Sequence, residues 1–236
     1  MVLRLRDILI IVGIIMIWGD NFVVVKMGLE VLPPLFFIAL RFGLVALFLL
    51  PMARLPRGRL LQIFALSWTL GVIHFWLMFS GLKTVDAATA AITVQLQVPF
   101  ASILAWLVFN DKLGWRRALG MLLAFAGVGV IVGEPRLEGQ YLSVAMILSA
   151  AFMWTIANVQ IKLLGNIDGN SLNAYVGAFA APQLLALSLF FEEGQWQALT
   201  TMGSVGVFAL LYQSLAVMVL GYGVWYRLMR HYDINQ

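Results

Sequence analysis

Two opposite charges, Asp20 and Arg41, each interrupt an apolar stretch of membrane length and are the side chains best placed to do chemistry. A charge near the centre of a bilayer costs roughly 2.5–3.5 kcal/mol on an insertion scale, so it normally faces a cavity or a partner. The turn between the two stretches falls near Glu30 to Leu32, and positions 20 and 41 are equidistant from it. At 1.5 Å per residue both lie about 15 Å from that turn, roughly half of a ~30 Å hydrocarbon core. One role for such a pair is to neutralise itself and hold the hairpin together. Another is that Asp20 binds a substrate amine or a coupling proton while Arg41 tunes its proton affinity. A third is that Asp20 borders a wet cavity.

Further candidates come from a motif that occurs twice. MIWGDNFVVVKMG, starting at Met16, returns as MWTIANVQIKLLG, starting at Met153, with Trp18 and Lys26 matched by Trp154 and Lys162. On a helix Trp18 and Asn21 share a stripe at i,i+3, and Trp154 and Asn158 share one at i,i+4. These indoles and amides either line a cavity or form interhelical hydrogen bonds. Asp20 has no charged counterpart, because Ile156 stands in its place. Lys26 and Lys162 end their helices, where a cation suits the dipole and reaches the headgroups. His74 shares a stripe with Ser67, Gly71, Met78 and Gly81, a small or polar face that suits a cavity wall or a hydrogen-bonded packing contact. Gln95 lies with Ala88, Ala91, Pro99 and Ser102, and Pro99 deprives the Gln95 carbonyl of its usual amide partner. A broken helix beside an amide is typical of a midplane site, and its plain reading is a repaired kink. Tyr212 lies deep enough in the last apolar stretch to meet a substrate.

Other chemistries are excluded by what the sequence lacks. With no Cys and two distant histidines, His74 and His231, thiol chemistry and a metal site have no ligands to draw on. Gly127, Gly129 and Gly133 come near a dinucleotide loop but lie inside an apolar helix without a preceding strand, so they read as a close-packing helix face. No P-loop, HExxH or GxSxG occurs. No cofactor and no catalytic residue is expected. The basic residues are dispersed, which argues against nucleic acid.

The elements that position these residues follow from composition. The 236 residues are 62% hydrophobic and 11% charged, with a mean hydropathy of +0.95, which marks an all-α polytopic membrane protein. The basic amino terminus reads as part of a retained first span, since no small-residue cleavage site follows it. Eight spans are expected at 8–28, 34–53, 60–82, 87–109, 118–133, 141–164, 172–191 and 204–229. With the amino terminus in the cytoplasm, Arg4, Arg6, Arg54, Arg57, Arg59, Lys112, Arg116, Arg117, Lys162, Arg227 and Arg230 fall inside. Lys26, Lys83 and Arg136 fall outside. That asymmetry satisfies the positive-inside rule and makes the two motif copies run in opposite directions, as in an inverted-repeat transporter. The first repeat, 1–133, holds five spans and the second, 134–236, holds three. Lys83 to Asp86 corresponds in position to the run starting at His231, so the second repeat is expected to lack its last two helices in this chain.

WGDNFVVVKMGLEVLPPLFFIALRF (from Trp18), FNDKLGWRRALGMLLAFAGVGVIV (from Phe109) and GYGVWYRLMRHYD (from Gly221) resemble the EamA-type exporters of the drug/metabolite transporter superfamily. The resemblance covers essentially the whole chain. It implies ten helices in two inverted five-helix units, a central cavity, and export of amino acids or related metabolites across a bacterial inner membrane. The expected function is a secondary exporter working by alternating access, driven by the substrate gradient or by protons. Other small compounds or drugs are the alternative cargo. Its expected partners are a small-molecule substrate and the lipid bilayer, and the small-residue helix faces leave a homodimer open. Remote alternatives are a non-transporting scaffold and an embedded enzyme using Asp20 and His74.

Overall fold

The computed structural model describes residues 5–165 and 167–224. Among them are eight helices long and apolar enough to cross a membrane: Arg6–Leu29, Pro34–Met52, Leu60–Thr84, Ala87–Phe109, Trp115–Val132, Tyr141–Leu164, Gly169–Phe191 and Gly203–Tyr222. The fold is all-α and polytopic. The fourth and sixth spans have the expected limits. The eighth was expected to reach 229, and that end, like His231, lies outside the described residues.

Local signals start and stop these helices. Asp86 caps the fourth span by accepting from the Thr89 amide at 2.9 Å, and Asp168 caps the seventh by accepting from the Ser171 amide at 3.1 Å. Asn110 ends the fourth span in the left-handed region, φ 53°. The second span opens on Pro34, which has no amide to leave unpaired.

The spans form two compact units, each drawn from both sides of the expected boundary at 133/134. The first unit comprises 1–64 and 166–236, and therefore holds the first, second, seventh and eighth spans. Its core is the second span against the seventh, with Phe37, Ile38, Phe42, Val45, Ala180 and Leu184 buried. Gly177 permits that approach: a Cβ there would lie 3.0 Å from the Phe42 carbonyl oxygen.

The second unit, 65–165, holds most of the third span and all of the fourth, fifth and sixth. Here the third span packs on the sixth. A Cβ at Gly81 would lie 2.7 Å from the Ser143 carbonyl oxygen, so only glycine lets the backbones come this close. Phe100 meets Phe125 and Phe152 edge-on, tying the fourth span to the fifth and sixth.

The second span ends in a 3-10 turn, Leu50–Met52, and four others depart from regular α geometry within their length. The first is interrupted at Asp20, between helices Leu5–Gly19 and Asn21–Leu29. The fourth contains a 3-10 turn, Val94–Leu96, just before Pro99, where the missing proline amide disturbs the ladder. The third and eighth contain π-helical segments, Ser67–His74 and Tyr212–Tyr222.

Candidate functional site

The eight candidate residues divide evenly between the two units, four in each. Trp18, Asp20, Asn21 and Tyr212 lie in the first unit. His74, Gln95, Trp154 and Asn158 lie in the second.

In the first unit, the polar residues of the first span meet the π segment of the eighth. Tyr212 donates its hydroxyl to the Ile17 carbonyl at 2.9 Å, and the Trp18 and Tyr222 rings lie 5.2 Å apart. The Gln213 amide donates to Asn21 Oδ1 at 2.6 Å. Gln213 is fully buried, and its Oε1 has no hydrogen-bond partner among the described residues. Sequence reading missed Gln213, although a glutamine inside an apolar span is itself a signal for an interhelical amide contact.

The expected pairing of Asp20 with Arg41 is not among the contacts of the described residues. Asp20 is exposed, and its electrostatic neighbour is the Tyr212 phenol. Arg41 is 2% exposed, near the Tyr222 phenol, with its guanidinium 5.7 Å from the Phe42 ring centroid. Equal distance from the turn set only their depth. Direction around the axis is set by the face, and Arg41 shares its face with Phe37, Ile38 and Val45, all buried.

In the second unit, an open cavity of about 540 Å³ lies along the fourth and sixth spans. Gln97, Val98, Ala101, Ser102 and Ala105 form one wall, and Trp154, Thr155 and Asn158 form another. Asp111, Lys112 and Leu113, from the loop after the fourth span, and Arg117, at the start of the fifth, complete it. Two expected residues, Trp154 and Asn158, therefore line this cavity. Asn158 donates to the Trp154 carbonyl at 2.8 Å, and Thr155 donates to the Ala151 carbonyl at 2.9 Å.

Gln95 is placed one step away from the cavity. It is exposed, and its Oε1 accepts from the Gln97 amide at 3.3 Å, while Gln97 does the lining. The 3-10 turn Val94–Leu96, at about 120° per residue rather than 100°, turns the part of the span after it by about 60° relative to a continuous α-helix. Lys112 and Arg117 enter the sequence analysis only as cytoplasmic charges, and Asp111 only within the stretch starting at Phe109.

His74 does not line this cavity. It is 5% exposed and donates from Nδ1 to the Ala150 carbonyl at 2.8 Å, which places its proton on Nδ1. Its ring lies 5.2 Å from that of Trp154. The stripe of Ser67, Gly71, His74, Met78 and Gly81 is buried throughout, so this small-residue face forms the packing surface toward the sixth span. Lys162 places Nζ 3.7 Å from the Phe109 ring centroid, a cation–π contact between the ends of the sixth and fourth spans. Among the described residues no group of His, Asp and Glu could hold a metal ion.

Residues 5–133 match the EamA-like transporter family, which covers more than half of the chain. The chain belongs to the EamA-like transporter family. A probable amino-acid metabolite efflux pump of Salmonella typhimurium LT2 is 30% identical to this EamA-like chain over 93% of it and 77% of the relative. A pump of the same description from Escherichia coli K12 is 26% identical over 97% of this chain and 79% of the relative. The uncharacterized transporter YoaV of Bacillus subtilis is 27% identical over 92% of this chain and 77% of its own length. A solved crystal structure superposes with a TM-score of 0.55 at 18% identity, covering 93% of this chain and 83% of that one, and so shares the fold. This EamA-like protein is a multi-pass membrane transporter of small molecules.

Proposed function

We propose that this protein exports amino acids or close derivatives by alternating access, from a bacterial cytoplasm across the inner membrane, with its amino terminus inside. The observation that carries this reading is the composition of the second unit's cavity. It combines a carboxylate, Asp111, with two cations, Lys112 and Arg117, and then amides, hydroxyls and an indole further along the helices. A zwitterion with a variable side chain needs that set: fixed charges of both signs for its ends and uncharged polar or aromatic groups for the rest. The volume of about 540 Å³ leaves room for an amino acid and several waters. The positive-inside distribution supports the orientation, since it puts Lys112 and Arg117 on the cytoplasmic side, where an export substrate enters. The relatives described as amino-acid metabolite efflux pumps support the cargo class.

Asp20 is the acidic group through which protons would couple to transport, because it interrupts the first span and the second motif copy has isoleucine at the matching place. Reconstitution into liposomes tests both statements. A panel of labelled amino acids is loaded inside or outside, with and without a pH gradient, and uptake and efflux are followed. The reading expects saturable flux of at least one zwitterionic amino acid and a rise in KM for Asn158→Leu. Coupling through Asp20 expects gradient-driven accumulation that Asp20→Asn abolishes while leaving exchange intact. Flux of uncharged or cationic compounds alone would overturn the cargo, and accumulation unchanged in Asp20→Asn would overturn the coupling role.

A further inference from the structure

Each unit contains a joint that the sequence repeat alone does not reveal. In the order of spans, the first corresponds to the sixth and the third to the eighth. Among the described residues, π-helical geometry occurs in the third and the eighth, the two members of one such pair. The π segment of the third span ends at His74, whose ring lies 5.2 Å from Trp154 at an interplanar angle of 44°. The π segment of the eighth ends at Tyr222, whose ring lies 5.2 Å from Trp18 at 45°. Trp154 and Trp18 are the tryptophans of the duplicated motif. Matching Lys83 with His231 also matches His74 with Tyr222, each nine residues earlier. One geometry is thus built twice, from different side chains, once inside each unit.

A π segment carries an extra residue per turn compared with an α-helix, and such segments concentrate at functional positions. Returning the whole segment to α geometry absorbs that extra residue, which rotates the remainder of the helix by about 100° and shifts it by about 1.5 Å along the axis. A ring at the end of the segment cannot keep a tilted 5.2 Å contact through that rotation, so the tryptophan contact and the π register hold each other. Glycine reinforces the contact at one joint: a Cβ at Gly221 would lie 2.8 Å from Trp18 Nε1, which leaves the indole seated against the eighth span's backbone.

We propose that Trp18 with Tyr222, and Trp154 with His74, are two equivalent register locks, and that the third and eighth spans bend at the π segments they close when the transporter changes the side to which it opens. This rests on the alternating-access reading; Trp18, Tyr222 and His74 act as positioning residues, and Trp154, which also lines the cavity, joins the lock to the site. Opening a lock lets the π segment exchange between π and α hydrogen bonding, whereas the α-helical stretches on either side keep their ladders. The two locks differ in one respect, since one carries an imidazole where the other carries a phenol.

Hydrogen exchange on the full chain in lipid nanodiscs, without added substrate, tests the locks directly. The segments 67–74 and 212–222 are expected to exchange faster than the α-helical remainder of their own spans. Trp18→Leu should speed exchange in 212–222 by roughly three- to tenfold, the factor one aromatic pair is worth, and leave 67–74 unchanged. Trp154→Leu should do the reverse, and the phenylalanine variants should restore most of the protection. Uniform exchange along the third and eighth spans, or an increase spread over every span, would overturn the proposal. Exchange decides this whether or not a transported amino acid is found. With one in hand, efflux by either leucine variant should show a several-fold lower turnover than the matching phenylalanine variant, and equal turnover would remove the locks from the transport cycle.

Discussion

Removing the Glu192 carboxylate should loosen the first unit by an amount that its hydrogen bonds allow to be worked out. The second span opens on Pro34, preceded by Pro33, and neither has an amide hydrogen, so the first amides needing a partner are those of Leu35 and Phe36. Glu192, just past the seventh span, supplies both: Oε1 accepts from Leu35 at 2.8 Å and Oε2 from Phe36 at 3.0 Å. Ser188 donates to Oε2 at 2.8 Å and keeps the carboxylate in place. A hydrogen bond to a charged group contributes about 1.5–3 kcal/mol, and the negative charge also suits a helix amino terminus. Because Glu192 is only half-buried and water can replace part of this, Glu192→Ala should cost about 2 kcal/mol rather than the sum of both bonds. For a chain of this length that is a fall of about 4–8 °C in Tm. Glu192→Gln keeps one acceptor and should lose about half as much. Thermal unfolding of the full chain in detergent, followed by tryptophan fluorescence, reads the shift. A change under ~1 °C for Glu192→Ala, or a larger loss for the glutamine variant than for the alanine variant, would refute this account.

Other substitutions should separate contacts that matter from open space. Gly81→Ala should destabilise by about 1–3 kcal/mol, because its Cβ meets the Ser143 backbone, whereas Gly127→Ala, with nothing within 4 Å, should be neutral or stabilising in the same unfolding assay. Gln213→Leu should cost about 0.6–2 kcal/mol by removing the 2.6 Å bond to Asn21, and Asn21→Leu in the same background should add little to it. Asp168→Ala should cost about 1 kcal/mol through the lost cap on the seventh span, and Asp168→Asn should recover most of it.

Helix placement was legible because each membrane span must satisfy its own backbone groups over a length set by the bilayer. The fourth span, Ala87–Phe109, and the sixth, Tyr141–Leu164, can be read directly from runs of apolar residues ended by charge or glycine. The candidate site was legible in part. Trp154 and Asn158 were found because a duplicated polar motif in an apolar helix is conspicuous, and the structure puts both on a cavity wall. Gln97 lies off the stripe through Gln95, and which of the two glutamines faces the cavity depends on the neighbouring span, Tyr141–Leu164, that forms its other wall. The Glu192 cap joins residues more than 150 positions apart, and no local pattern announces such a contact.

Composition, the spacing of charges and the lengths of the apolar runs marked by themselves the eight membrane-length helices found among the described residues, and the tryptophan motif occurs twice in the sequence. These are one-dimensional properties, since hydrocarbon thickness and backbone self-satisfaction act on each helix separately. Which faces meet was decided only by the tertiary structure. The stripe through His74 became a packing surface, Arg41 turned into a core, and Asp20 took a different electrostatic neighbour from the one its depth suggested. In lipid both faces of a span can be apolar, so hydrophobicity does not say which face is inside. Close backbone approach at Gly81 and Gly177, together with helix irregularities that rotate one part of a span against another, supplied that choice.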